Sequence, residues 1–441
     1  MKKYFLAVAS FFIYSHISLG QVYPGQMDST FVPVRSHHYD PELTFDFCVN
    51  EPAWNNQAGI HSAFGSTDRL YFRKEVPVNH NNDLSSSYST TVWRGERANA
   101  QILVWSSEAL EQVRVSTQDL RSAEGNIIPK DRITFELVRY VLSNYPYAEK
   151  KAICGESPYK SGFLMPDRFE TLDRFDLPSQ TTRPVWMIVD VPRGTAPGTY
   201  KGQVEVRAKG KAPQLLNLEI VVQKQLLPYP KDWKYRLDLW QNPWAVAWYN
   251  HVEPWSPEHK MLLKQHLKHY ADAGGTYITT YGVHSPWSDN SYMIEGGMIE
   301  WIKKADGTWA FDYKIFDEYV ELAMECGIDE AITLYTPIPW GFRHRYKDEA
   351  TGDYSYINWA PSSEEFKKMW NIFLTDFKFH LEAKSWLDIT YIGINENPME
   401  ETLAAINVVR NHDKCWKITY AGNWHKELDG LLDDYSFLYG E

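Results

Sequence analysis

The residue best placed to do chemistry is Glu396, in the run Ile394-Asn395-Glu396-Asn397-Pro398. A carboxyl group at a strand end, among rings that lower the local dielectric, is expected to have a raised pKa and to serve as a general acid. A plainer role is open to it as well: a carboxylate just before Pro398 favours the N-terminal dipole of a following helix. Residue type and spacing leave both open. Other strand ends repeat the same chemistry. They supply Asp238, Trp240 and Gln241, then Tyr281 and His284 followed by Trp287, then Tyr335 with Pro339-Trp340, and finally Asn423-Trp424. Flat rings can stack on apolar sugar faces, so this convergent set fits a sugar pocket. Tyr335 and Trp340 are the preferred pocket rings. Trp240 and Trp244 can stack on sugar or fill the mouth, and His284 can contact substrate or merely pack its loop.

Other chemistries find little support. No C-x-x-C, H-E-x-x-H or similar metal spacing occurs, and no G-x-G-x-x-G or phosphate loop, so neither a metal nor an organic cofactor is expected. His259, His266 and His269 share one helix, where a solvated outer face is expected rather than a ligand set. Phe366, Met369, Trp370, Phe373, Leu374 and Phe377 recur at spacings of three and four, which marks a packing face. Cys48, Cys154, Cys326 and Cys415 can pair in an oxidising compartment, but they are widely scattered, and buried free thiols are the preferred reading.

The elements that must carry these residues follow from patterning. At 441 residues, a prior of roughly 150 per domain predicts two or three domains. Lys2 and Lys3, the apolar run Tyr4 to Tyr14 and Ser18-Leu19-Gly20 read as a signal peptide over 1–20, so the protein is expected to be exported, to the periplasm or beyond. No cysteine follows the cleavage site, which argues against a lipid anchor there. No later stretch is apolar for long enough to span a bilayer. Residues 21–227 show short alternating runs: Thr91 to Ser106, Val113 to Ser116, Ile133 to Val141, Val185 to Val191, Tyr200 to Arg207 and Leu216 to Val222. Turn residues separate them, which predicts a β-sandwich. Val76 to Ser89 is polar and reads as a loop.

Leu227-Pro228-Tyr229-Pro230 marks a break, and over 228–441 strands alternate with helices. Strand-like runs are Arg236 to Gln241, Tyr277 to Val283, Ala331 to Ile338, Ile389 to Ile394 and Lys417 to Asn423. Helical runs start at Ser256-Pro257 and cover Phe311 to Cys326, Ser363 to Glu382 and Pro398 to Val409. That order predicts a parallel sheet, most simply a (β/α)8 barrel. Five strands and a possible sixth at Tyr435 fall short of eight, so the barrel is read as incomplete in this chain.

Composition agrees with such a molecule. A net charge of −12 argues against nucleic-acid partners. Aromatic residues make up 15% of the chain, a surplus that either a large core or a sugar site could use.

Longer motifs narrow the choice. Trp93-Arg94-Gly95-Glu96-Arg97-Ala98-Asn99-Ala100-Gln101 resembles the leading domain of glycoside hydrolase family 123. The first barrel strand, Leu237-Asp238-Leu239-Trp240-Gln241-Asn242-Pro243-Trp244, resembles the same family, as do Gly307-Thr308-Trp309 with Phe311-Asp312-Tyr313, and Pro339-Trp340 followed by Tyr346 to Gly352. Phe377 to His380 and Trp386 to Gly393 complete the set. The resemblance implies a (β/α)8 catalytic barrel and a retaining β-N-acetylgalactosaminidase. In such an enzyme the substrate's own 2-acetamido oxygen attacks the anomeric carbon. A glutamate protonates the leaving oxygen, and the preceding aspartate orients the acetamido group. That pair maps onto Asn395 and Glu396, so this chain departs from the pattern: Asn395 brings no charge to the oxazolinium-like state. The expected substrate is a glycan with a terminal β-linked 2-acetamido sugar. The alternative is a catalytically weakened glycan-binding protein that keeps the pocket; Asn395 favours it and Glu396 opposes it.

Overall fold

The computed structural model describes residues 51–79, 84–143, 163–287 and 296–436. The expected signal peptide, Cys48 and Cys154 lie outside the described residues. The described chain divides into two compact units, one ending at Leu227 and the other beginning at Pro228.

The first unit is built of strands. One sheet has five, in the order His61–Gly65, Arg97–Ser106, Thr181–Asp190, Ile133–Ser143 and Phe163–Thr171, all antiparallel. A second runs Ser87–Arg94, Gln214–Leu226, Gly198–Arg207, Leu110–Thr117 and Phe175–Leu177, with the first two parallel. Both sheets feed one apolar core. Ala98, Ala100, Ile102 and Val104 come from one, and Val204, Val206, Leu216, Leu218 and Ile220 from the other. In Gly198–Arg207 and Gln214–Leu226 these alternate with exposed or half-buried neighbours, as a pleated strand requires, whereas Arg97–Ser106 also buries Gln101 and Leu103. The run from Thr91 to Ser106 is two strands, because Gly95 turns the chain at φ +82°. The polar stretch expected as a loop gives way to strand at Ser87.

In the second unit five parallel strands lie side by side in sequence order: Tyr277–Tyr281, Ala331–Tyr335, Thr390–Ile394, Lys417–Ala421 and Asp434–Ser436. Helices Lys314–Glu325, Glu364–Lys384 and Met399–His412 fill intervals between them. Ile278, Ile332, Leu334, Ile392 and Ile418 are buried in the core that also takes Phe316, Phe373 and Phe377 from the helices. Residues at the alternate positions share the opposite face: Thr279, Thr333, Tyr335, Gly393, Thr419 and Asp434. Gly393 is required there, since a Cβ would sit 2.9 Å from the Tyr335 ring.

Three expectations change. Arg236 to Gln241 forms no ladder; only Leu237 bridges Gly275. Side chains take the backbone partners a strand would use. The Tyr270 hydroxyl donates to Leu237 O and accepts from Leu239 N, and Gln241 Oε1 accepts from Thr279 N. Just beyond, Pro243–Asn250 is a helix, capped by Asn242. Phe311 belongs to a strand, not a helix. Trp309–Asp312, Glu300–Lys303, Arg343–Asp348 and Tyr354–Asn358 form a separate four-stranded sheet. Lastly, Cys326 is a buried free thiol but Cys415 is exposed.

The aromatic surplus is spent largely in this unit's core. Trp301 stacks on Phe373 at 4.8 Å, and Phe373 on Phe377 at 5.3 Å, with Trp359 and Trp370 buried beside them. Helix Glu364–Lys384 presents Trp370, Phe373 and Phe377, and its start is set by Ser363, whose hydroxyl accepts from Phe366 N at 3.1 Å. Ser363→Ala should cost about 1 kcal/mol by urea unfolding. A loss below about 0.3 kcal/mol would mean that the cap contributes nothing.

Candidate active site

Asn395 and Glu396 directly follow the Thr390–Ile394 strand and differ in burial. Continuing the alternation of Tyr391 and Gly393, Asn395 belongs to the polar face of the parallel sheet, and it is 1% exposed. Glu396, one residue on, is exposed. The enclosing rings expected around its carboxyl are therefore not seen among the described residues. Tyr420 is near it; burial first, and then the Glu396 charge, push that phenol up.

Three side chains form a network at the strand end. The Thr336 hydroxyl donates to Asn395 Oδ1 at 3.2 Å, and Asn397 Nδ2 donates to the same oxygen at 2.9 Å. Asn397 also donates to the Ile338 carbonyl at 3.0 Å. Asn395 Nδ2 is buried and has no partner among the described residues. Neither Thr336 nor Asn397 was singled out by sequence; the signal available was Asn397's place in the same short run.

Next to this network the rings converge. Trp240 lies 4.9 Å from Trp287 and 5.0 Å from Tyr335, and Trp287 lies 5.3 Å from Tyr335. Tyr335 and Trp287 are buried, while Trp240 is 42% exposed, so one ring of the three offers a face to a ligand. Asp238 acts electrostatically on Tyr335 and Tyr270. Burial first, and then Asp434, raise the Asp238 carboxyl to about 6, and its buried Oδ1 has no partner among the described residues.

A folded-state pKa raised in this way means the fold prefers the protonated acid. Stability should thus fall as pH rises from about 4 through about 6. Asp238→Asn should remove that fall. On the order of 1–2 kcal/mol should separate the two proteins' pH dependences after solvent screening, read from melting temperatures across pH. Parallel curves would contradict it.

His284 meets the four-stranded sheet. Its Nε2 lies 3.4 Å from Arg345 Nη1, and burial, then Arg345 and Arg343, lower its pKa to about 4. It is neutral at physiological pH. Both arginines come from the four-stranded sheet that sequence reading missed, and with Ser285 and Tyr356 they border cavities at this end. One such cavity, of about 120 Å³, is lined by His284, Ser285, Arg343 and Tyr356. Another, of about 490 Å³, is lined by Trp255, Glu300, Arg345 and Lys347 among others and includes neither Asn395 nor Glu396. Trp340 is half-buried, and Asn423 and Trp424 are exposed beyond the Lys417–Ala421 strand.

The histidine helix also differs from expectation. His259 is fully buried, accepting from Trp255 N at 2.8 Å through Nδ1 and meeting Pro243 O at 2.9 Å through Nε2. It pins the Pro243–Asn250 helix. No cluster able to hold a metal occurs among the described residues, and no described helix is long and apolar enough to cross a membrane.

Residues 240–441 match the family model of the Glycoside hydrolase 123 catalytic domain, and residues 64–208 that of the Glycoside hydrolase 123 N-terminal domain. The chain belongs to glycoside hydrolase family 123. Among solved structures, a family 123 glycoside hydrolase from Clostridium perfringens, described for glycolipid glycan hydrolysis, is 25% identical with a TM-score of 0.75. The alignment covers 86% of this chain and 67% of that one. A family 39 glycoside hydrolase from the gut symbiont Bacteroides cellulosilyticus is 13% identical, covering 68% of this chain and 46% of that one. Its TM-score of 0.23 is too low to bear on the fold. No curated protein matches the chain significantly. As a family 123 glycoside hydrolase, the chain acts on glycans, and the matched catalytic region contains the Asn395–Glu396 strand end.

Proposed function

We propose that this glycoside hydrolase removes terminal β-linked N-acetylgalactosamine from an exported-compartment glycan by a substrate-assisted, retaining route. The burial of Asn395 beside an exposed Glu396 carries the reading. One side chain faces the polar floor, where a 2-substituent would lie, and the other reaches outward to a leaving group. The likeness to an enzyme described for glycolipid glycan hydrolysis supports a glycolipid-borne or similar glycan. The sequential parallel strands support a (β/α)8 architecture, and the shared core of the two N-terminal sheets supports a β-sandwich.

In this reaction the acetamido oxygen attacks the anomeric carbon as the glycosidic C–O bond breaks. Glu396 gives its proton to the departing oxygen. Water then attacks the oxazoline-type intermediate, and its proton returns to Glu396, so the acid is regenerated. Such assistance replaces the second carboxylate of most glycosidases. Asn395, with Thr336 and Asn397 behind it, holds the 2-substituent, while Trp240 offers a stacking face over buried Tyr335 and Trp287. Asp238, His284, Trp340, Asn423 and Trp424 are proposed to complete the sugar site.

A second reading has its own support. Asn395 offers no charge to an oxazolinium-like state, which fits a weakened enzyme that binds glycan with little turnover. Hydrolysis of an aryl β-N-acetylgalactosaminide, set against the matching galactoside, separates the two. Cleavage of the acetamido substrate alone supports the enzyme; binding of N-acetylgalactosamine with cleavage of neither supports the binder. Equal cleavage of both contradicts substrate assistance.

A further inference from the structure

Asn397 determines which end of the Asn395 amide a ligand meets. The Ile338 carbonyl can only accept, and Asn397 Nδ2 sits 3.0 Å from it, so the orientation of the Asn397 amide is fixed by the backbone. The same NH2 group lies 2.9 Å from Asn395, so the atom facing it must be an acceptor, Oδ1. Thr336 adds a second donor to that oxygen at 3.2 Å. The Asn395 NH2 group is therefore turned the other way, where it is buried without a partner among the described residues. A buried donor left unpaired is costly, so the group that relieves it is an oxygen acceptor. An acetamido N–H brought to the same point would meet donor with donor. Turning Asn395 over would only move that conflict to Asn397.

We propose that Asn397 is a specificity-determining positioning residue: by locking Asn395 with its donor toward the sugar, it makes the site grip the 2-substituent through an oxygen. This rests on the reading that Asn395 faces the 2-substituent. An acetamido group so held has its carbonyl oxygen hydrogen-bonded to Asn395 and drawn away from the anomeric carbon. Its N–H finds no acceptor at residue 395. Assistance by the substrate is consequently restrained in the native chain, and the restraint lies one residue beyond the acid.

Removing the lock tests this. Asn397→Ala takes away the donor that fixes Asn395, and the Thr336 hydroxyl can accept as readily as it donates, so Asn395 becomes free to turn. On an aryl β-N-acetylgalactosaminide kcat should rise about tenfold, the equivalent of one net hydrogen bond, with KM changed less than about threefold. Asn397→Ser is the companion variant, since its hydroxyl can still donate to Ile338 O while accepting from Asn395. The decisive comparison repeats Asn397→Ala in an Asn395→Asp protein. A carboxylate accepts on both sides, so there the substitution should give no gain. A purely structural role for Asn397 would lower activity equally in both backgrounds, and that result, or a loss with both Asn397 variants in the native background, overturns the proposal. If no form cleaves the substrate or binds N-acetylgalactosamine, the reading of the site falls and this inference with it. Activity in the native protein with no gain from either Asn397 variant leaves the enzyme intact and removes only the lock.

Discussion

Glu396→Gln should lower kcat on an unactivated β-N-acetylgalactosaminide by ~10³-fold, with ligand affinity within about threefold of the parent. The amide keeps the size and hydrogen-bonding reach of the acid but has no proton to give to the departing oxygen. Because Glu396 is exposed, the exchange leaves no buried group unpaired, and the melting temperature should hardly move. The size of the loss should depend on the leaving group. An aryl substrate that departs readily as an anion needs less protonation, so its first step should suffer less. If the variant matches the parent on the unactivated substrate, Glu396 is a helix-terminal charge beside Pro398 and the acid lies elsewhere.

The second large effect has the opposite sign. Asn395→Asp should raise kcat on 2-acetamido sugars by ~10²-fold, the scale on which preorganised charge partners act. Donors are already aimed at this position: the Thr336 hydroxyl and Asn397 Nδ2 both serve Asn395 Oδ1. They would hold one carboxylate oxygen, leaving the other to accept the acetamido N–H and to face the developing positive charge. That interaction exists mainly in the transition state, so the gain should fall on kcat rather than KM. Two adjacent carboxylates resist ionising together. The alkaline limb of the pH–rate profile should accordingly move to higher pH. Sugars lacking the acetamido group should be unaffected. If kcat falls at every pH, the asparagine is a working catalytic group, and the view of it as a weakening replacement fails.

How much of this was legible in the chain depends on which physical signal each element leaves. Ser256-Pro257 and Ser363 announce their helices because capping is local chemistry, and both serines do cap their helices. The parallel strands were readable as short strand-like runs alternating with helical ones, and Asn395-Glu396 from its place at the end of one. The first expected strand failed for a reason no alternation reveals: Tyr270, more than thirty residues away, supplies the hydrogen bonds a neighbouring strand would have given. The four-stranded sheet was missed because its strands include runs of only four residues. Asp306-Gly307, between two of them, was the turn signal that could have found it. With that sheet went Arg343 and Arg345, which after burial lower the His284 pKa. His259 was expected to be solvated, yet it is buried because the unforeseen helix Pro243–Asn250 covers it. The Asn395–Asn397 network depends on a backbone carbonyl at Ile338, and long-range contacts of that kind leave no trace in spacing.

The central claim is a retaining reaction assisted by the substrate at the Asn395–Glu396 strand end. Proton NMR of the first product formed from an aryl β-N-acetylgalactosaminide tests it most directly. The β-anomer of N-acetylgalactosamine should appear first and then mutarotate, with no comparable release from the matching galactoside. The α-anomer appearing first, or β-anomer formed equally well from the galactoside, would contradict it.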